Sequence, residues 1–182
     1  MTQLTVREIQ QQDIEPITDY WLGADVAFME GMGVDMTKLP VREFWKDMLQ
    51  SQLDTPIEQK QSYATIWEMD GKAIGHCNVN KIVFGKEAYM HLHICDGSIR
   101  QKGYGMQFVK MSLPYFFNDL KLETVYCEPY ALNPSPNKTL EKIGFELEKE
   151  YITTPGSLSF EQPVKRWKLS KSAFEAITGD FV

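Results

Sequence analysis

The chain has three histidines, His76, His91 and His93, and all fall in its middle. Imidazole exchanges protons near neutral pH and ligates metals, so the clustering marks a segment where either chemistry could be built. His91 and His93 stand two apart in the alternating stretch Ala88–Cys95, so on a strand both project from one face. A carboxylate, Glu128, closes the next short apolar run just before Pro129. Between these groups lies Arg100-Gln101-Lys102-Gly103-Tyr104-Gly105-Met106, after an expected strand and at the start of an expected helix. Two glycines let the backbone turn tightly and bring several N–H groups toward one point. The helix N-terminus behind them adds partial positive charge, and Arg100 and Lys102 add formal charge. Together they form an anion site of the kind that cradles a pyrophosphate.

Other readings of these residues fail on detail. A dinucleotide fingerprint needs a third Gly or Ala and an acidic residue about twenty positions on, in a βαβ unit that opens the fold. A Walker loop needs Gly-Lys-Ser/Thr, which the chain lacks. Gly85-x5-His91-x-His93 followed by Asp96 is similar to the first cupin motif, and two strand histidines suit zinc or iron. The Glu of that motif is absent, no histidine follows His93, and the expected helices fit a jelly roll badly. A metal-binding protein built on His91 and His93 is therefore the weaker alternative, and no metal is expected.

The surroundings are those of an ordinary globular chain. Its 182 residues fit one domain, 1–182, with 43% hydrophobic residues to fill a core. Lys plus Arg is 19 and Asp plus Glu is 25, a net charge of −6. That balance argues against a nucleic-acid partner, which needs a basic surface, and is compatible with a cationic small molecule. The N-terminus lacks an apolar signal region, and no apolar run approaches the ~20 residues of a membrane span. Cys77, Cys95 and Cys127 sit in apolar stretches and read as reduced core cysteines of a cytoplasmic protein.

Periodicity places the elements. Leu4–Ile9 alternates as a strand, and Asp13–Leu22 and Val41–Leu53 carry apolar residues at helical spacing, with a loop through Gly31 and Gly33 between them. Tyr63–Met69, Ala73–Phe84 and Ala88–Cys95 form a three-stranded meander turning at Asp70-Gly71 and Gly85-Lys86. Tyr104–Leu113 is a helix that Pro114 kinks or ends. Thr124–Cys127 is a short strand, and Pro136–Ile143 a helix capped by Ser135 and closed by Gly144. Phe145–Ile152 and Val164–Leu169 are closing strands.

A strand, then R-x-x-G-x-G, a helix, a short strand, then Asn133 and Glu141-Lys142-Ile143-Gly144-Phe145 resembles the GNAT superfamily of N-acetyltransferases. The likeness is close from Lys72 to Ile152. It implies an α/β fold with a mixed, mostly antiparallel sheet of about seven strands and four helices, splayed at strands 4 and 5. It also implies acetyl-CoA as co-substrate. The pantetheine arm would bond to backbone of His93, Ile94 and Cys95, and the pyrophosphate to Arg100 through Met106, with Asn133 and Lys138 as further cofactor contacts. Glu128-Pro129-x3-Asn133-x7-Glu141-Lys142 is similar to the branch of aminoglycoside 6′-N-acetyltransferases and siderophore-pathway hydroxylysine acetyltransferases, with some likeness to ribosomal-protein alanine acetyltransferases. Many members carry a Tyr before the Glu-Lys pair as general acid to the thiolate, where this chain has Leu140, and the ribosomal branch's serine falls at Pro136.

Acetyl transfer to an amine needs an uncharged nucleophile, hence a base, and a backbone N–H to polarise the carbonyl. His91 matches the strand-4 histidine of the siderophore-type enzymes and Glu128 their acid, while His93 completes a His-x-His pair seen in arylalkylamine acetyltransferases. Set against these roles, a strand histidine is often a hydrogen-bonded core residue, and Glu128 could end its strand in solvent. The resemblance places the acceptor between Phe28–Leu39 and Thr153–Gln162. There Glu30, Asp35 and Phe160 are candidate substrate contacts, the acids by charge alone. The expected partner is a small-molecule amine, with a homodimer left open. The missing tyrosine keeps one rival in view, a non-catalytic acyl-CoA-binding module of the same fold.

Overall fold

The computed structural model describes residues 2–100 and 102–179. Seven strands form one sheet: β1 (Leu4–Glu8), β2 (Ser62–Met69), β3 (Lys72–Val83), β4 (Glu87–Ile94), β5 (Thr124–Cys127), β6 (Glu146–Thr153) and β7 (Gln162–Ser170), in the order β1-β2-β3-β4-β5-β7-β6. All neighbours are antiparallel except β4 and β5. The β2–β3 hairpin turns where expected, with Asp70 and Gly71 both at positive φ, 51° and 75°, as a tight two-residue turn of matching twist requires.

Alternation along the strands builds two cores. Tyr63, Thr65 and Trp67 of β2 face α4 (Tyr104–Pro114), where the Trp67 ring stacks on Phe108 at 5.2 Å and its indole N–H donates to Ser112 Oγ at 2.9 Å. Thr65 Oγ1 also bonds Ser112, so the polar groups inside this core are satisfied. Burying each such large side chain is worth about 1.5–3 kcal/mol. Ala64 and Ile66 face the other way, toward α1 (Ile14–Gly23) and α3 (Arg42–Asp54), and pack with Ile17, Trp21, Trp45 and Leu49. The sheet is therefore covered by helices on both faces, which is not a jelly roll.

Several local expectations are corrected. The segment before Gly31 is a short helix, α2 (Val26–Gly31), started by Asp25, whose carboxylate accepts from Phe28 N–H at 2.9 Å. Helix α4 does end at Pro114 as expected, but the chain continues as a π turn through Tyr115–Asp119. Helix α5 (Pro134–Ile143) starts two residues earlier than the Ser135 cap predicts, because Asn133 caps it instead and Pro134 takes the first turn, where its missing N–H costs nothing. A last helix, α6 (Lys171–Gly179), goes unread in the sequence. It packs Phe174 flat on Phe117, ring centroids 4.5 Å apart.

Candidate active site

Strands β4 and β5 pair only at Glu87, Ala88 and Tyr89. Beyond Tyr89, β4 runs on to Ile94 while β5 ends at Cys127, so the sheet opens as a wedge. A cavity of about 110 Å³ fills it, walled by Met90 through His93 on one side and Cys127 through Tyr130 on the other, with Asn133 and Pro136 from the start of α5. A larger cavity, about 250 Å³, lies on the α1/α3 face of the sheet. Its floor is Ala64, His76, Asn78, Asn80, His91 and His93, and Trp21 and Trp45 stand above it. Met32, His91, His93 and Ser159 border both. The two histidines thus stand where the cavities meet.

The outer wall is built by the two segments expected there. Val34 bridges Ser159, Asp35 N–H donates to Leu158 O at 2.8 Å, and Lys38 Nζ to Ser159 O at 2.7 Å. Gln162 Nε2 donates to Gly33 O at 2.9 Å. Gly33 is at φ +88°, which strains any other residue, and a Cβ there would also displace the Gln162 amide from its bond to Gly33 O. The candidate contacts Glu30, Asp35 and Phe160 line neither cavity. Asp35 is instead turned to Thr37 and Lys38, and Phe160 packs edge-on to Tyr130. Charge alone selected these acids; the wall uses Met32 and Val34 from the same loop.

His91 Nε2 lies 3.2 Å from Asn80 Oδ1, and His93 Nδ1 3.2 Å from the Tyr20 hydroxyl. His93 also stacks on His76, centroids 4.9 Å apart, so His76 belongs to the same cluster, buried in the floor of the larger cavity. Burial holds all three imidazoles low: His76 and His91 to about 4, and His93 well below its usual value, its neighbours His76 and His91 adding to the effect. All three are therefore uncharged at neutral pH. Burial pushes the Tyr20 phenol up, so it stays protonated.

Glu128 does not end in solvent. Its side chain is 6% exposed, accepts from the Tyr151 hydroxyl and lies 3.7 Å from Arg166 Nε. Burial and the bond to Glu128 push the Tyr151 phenol up to about 12. Glu128 thus reaches the wedge cavity with its charge already partnered.

On the anion loop, Gly103 takes φ +84°, a left-handed conformation natural to glycine, and among the described residues no side chain caps the α4 N-terminus behind it. Gly105 has only Ile94 Cδ1 near the position of a Cβ, at 3.7 Å. Tyr104 and Met106 are half-buried in the first turn, Lys102 is exposed, and Gln101 lies outside the described residues. Arg100 does not extend toward this loop. Its Nε donates to Ile94 O at 3.0 Å and its guanidinium lies 3.5 Å over the Phe28 ring. Cys95 N–H is likewise engaged, by Ile74 O at 2.9 Å. Ladder alternation then turns the backbone N–H groups of Met90, Leu92 and Ile94 toward the wedge, rather than those of His93 and Cys95. Asn133 lines the wedge as the cap of α5, while Lys138 is exposed on that helix. Leu140 is fully buried.

Sequence reasoning missed Asn78, Asn80 and Tyr130 and read Tyr20 only as a core residue, whereas Met32 and Ser159 lie in the two segments expected to hold the acceptor, Phe28–Leu39 and Thr153–Gln162. The asparagines were within reach: the turn at Gly85 pairs Asn78 with His91 across the β3–β4 hairpin. Among the described residues no group of three His, Cys, Asp or Glu side chains could hold a metal ion, and no helix is long and apolar enough to cross a membrane.

A family model for the acetyltransferase (GNAT) domain matches residues 3–146. No curated protein matches the chain. Among solved structures, a spermidine N-acetyltransferase from Vibrio cholerae in complex with CoA and spermine is 18% identical, with a TM-score of 0.78 over 95% of this chain and 98% of that one. A chimeric form of that enzyme is 20% identical, TM-score 0.74, over 95% and 98% of the two chains. An uncharacterised protein from Bacillus halodurans is 15% identical, TM-score 0.72, over 99% and 90%. At such identities the likeness is one of fold.

Proposed function

The chain belongs to the acetyltransferase (GNAT) domain family, and from that premise we propose that it moves an acetyl group from acetyl-CoA to a primary amine of a small molecule by direct attack. The observation that carries this is the meeting of two cavities at His91 and His93, one in the β4–β5 wedge and one on the helical face beside it. A donor and an acceptor entering from opposite sides would touch there and nowhere else.

The residues present fit acetyl-CoA. The wedge exposes β4 backbone for a pantetheine amide, and the glycine turn at Gly103 leaves the α4 N-terminus free for phosphate oxygens. Lys102 and Lys138 are exposed cations, and Arg100 braces the end of β4 through Ile94 O rather than meeting phosphate itself. Acetyl-CoA supplies the activated acyl carbon. The Leu92 N–H, turned into the wedge, polarises its carbonyl. His91, uncharged and oriented by Asn80, takes the proton that the attacking nitrogen loses. With Leu140 in the core, Tyr130 is the phenol in the wedge wall, and we assign it the return of a proton to the departing thiolate. Cys127 also lines the wedge, but burial pushes its thiol up, so it stays protonated and unsuited to carry the acetyl group.

Glu128 supports the wedge and orders Tyr151 and Arg166. The likeness of residues 128–145 to the aminoglycoside and siderophore-pathway branch is part of this reading and rests on that segment. Three free cysteines support a reducing, cytoplasmic setting. Thiol release from acetyl-CoA across a panel of primary amines tests the proposal: amine-dependent release is expected. Tight CoA binding with no release on any amine would leave the non-catalytic module.

A further inference from the structure

We infer that the acceptor is a monoamine with a flat apolar body, bound as the free base, and not a polyamine. The inference rests on the acetyl-transfer reading and names the substrate class of that site. The solved structures of similar fold include an enzyme complexed with spermine, so the distinction is a sharp one.

Charge decides it first. Among the described residues no Asp, Glu, Lys or Arg lines the larger cavity; its polar groups are amides, hydroxyls, imidazoles and indoles. The imidazoles are uncharged, held low by burial. The adjoining wedge contributes one carboxylate, Glu128, already met by Tyr151 and Arg166. An ammonium leaving water for such walls finds no counter-ion, and an unpaired buried charge is strongly disfavoured. A single amine escapes by giving up its proton, which attack on a thioester requires in any case, and the weakly polar walls ease that loss. A second or third ammonium on the same molecule has no such escape.

Shape points the same way. Trp21 and Trp45 stack at 5.1 Å with only 13° between their planes, and His93 meets Trp21 edge-on at 4.9 Å. These rings, with Ile17 and Leu49, give the cavity a flat apolar side opposite its histidine floor. An aromatic ring stacks on such a wall; a flexible polyamine chain gains little from it. The Trp45 indole N–H and the Gln52 side-chain oxygen, both in this wall and both deeply buried, lack hydrogen-bond partners. A hydroxyl on the ligand ring, met by a turn of either side chain, would answer them.

The test is calorimetric titration of the CoA-loaded chain with 2-phenylethylamine and with spermidine at low ionic strength. The expected result is binding of phenylethylamine at least ~10-fold tighter than spermidine. Asn78→Asp, which places a carboxylate in the floor, should shrink that ratio by ~10-fold through stronger spermidine binding. Spermidine binding as tightly as phenylethylamine to the wild-type chain, or neither amine binding, would overturn the inference, and this comparison stands even where the variant fails to fold. Turnover is read separately with the same amines. Binding of phenylethylamine without acetyl transfer would sink the catalytic reading and leave the acceptor class standing.

Discussion

His91 and Asn80 meet diagonally across adjacent strands, imidazole Nε2 to amide Oδ1 at 3.2 Å. With the amide oxygen accepting, the imidazole carries its proton on Nε2 and leaves Nδ1 free to take one from the substrate. His91→Ala should lower kcat by ~10²-fold or more, the usual scale for a lost general base, with CoA affinity nearly unchanged. Full activity in this variant would remove His91 from the mechanism.

Because burial holds His91 at about 4, it is uncharged from mildly acidic pH upward. The acid limb of kcat/KM in the wild-type chain should therefore carry no histidine titration near pH 6.5, the rise with pH coming from the amine. Asn80→Asp places a carboxylate beside the imidazole, stabilises its charged form and raises its pKa. The limb should then move upward, into the window where kinetics can follow it. An unchanged profile in Asn80→Asp would break the link between the two residues.

The phosphate loop gives a binding prediction. At Gly105 only Ile94 Cδ1 stands near a Cβ, so the backbone tolerates a side chain, but a glutamate would set negative charge in the first turn of α4. Gly105→Glu should abolish CoA binding while the fold, followed by circular dichroism, persists. Unchanged affinity would remove the loop from the cofactor site.

Much of this arrangement is legible in the sequence because it is local. Alternation in Tyr63–Met69, the Asp70-Gly71 turn and the glycine loop before α4 each specify their own geometry, and the His-x-His spacing puts both imidazoles on one face. What is lost is non-local. The burial of Glu128 depends on Tyr151 and Arg166, from β6 and β7, and the turning of Arg100 onto Ile94 O depends on where β4 ends. The acids Glu30 and Asp35 sit in the right segment, yet loop register and the lock of Gln162 onto Gly33 decide which side chains reach the cavity. α5 starts at Asn133 rather than Ser135 because two good caps compete and the earlier one also ties Asn137 and Trp167 into the core.

Partnering also makes Glu128 a structural element. Glu128→Ala should lower kcat and at the same time cost about 1–3 kcal/mol of stability, since it removes the acceptor of the Tyr151 hydroxyl and one of the two carboxylates beside Arg166, the other being Glu148 at 3.1 Å. Denaturant melts alongside kinetics separate the two losses, and a stable variant with wild-type rate would contradict both.

His76 gives a stability prediction. Its imidazole titrates near 6.5 when unfolded and at about 4 in the fold. Between those values the unfolded chain binds the extra proton, so stability is full above about pH 6.5 and declines as pH falls toward 4, by ~3 kcal/mol. Urea midpoints should drop across that window, and His76→Gln should flatten the drop. Equal slopes in both chains would show that His76 stays accessible to protons in the fold.

The central claim is direct passage of an acetyl group between the two cavities. Mixing the acetyl-CoA-loaded chain with excess primary amine and quenching for mass spectrometry tests it within one turnover. The account predicts acetylated amine appearing as acetyl-CoA disappears, with no acetyl group on the protein at any time. An acetylated protein preceding the product, or intact acetyl-CoA beside every amine tried, would contradict it.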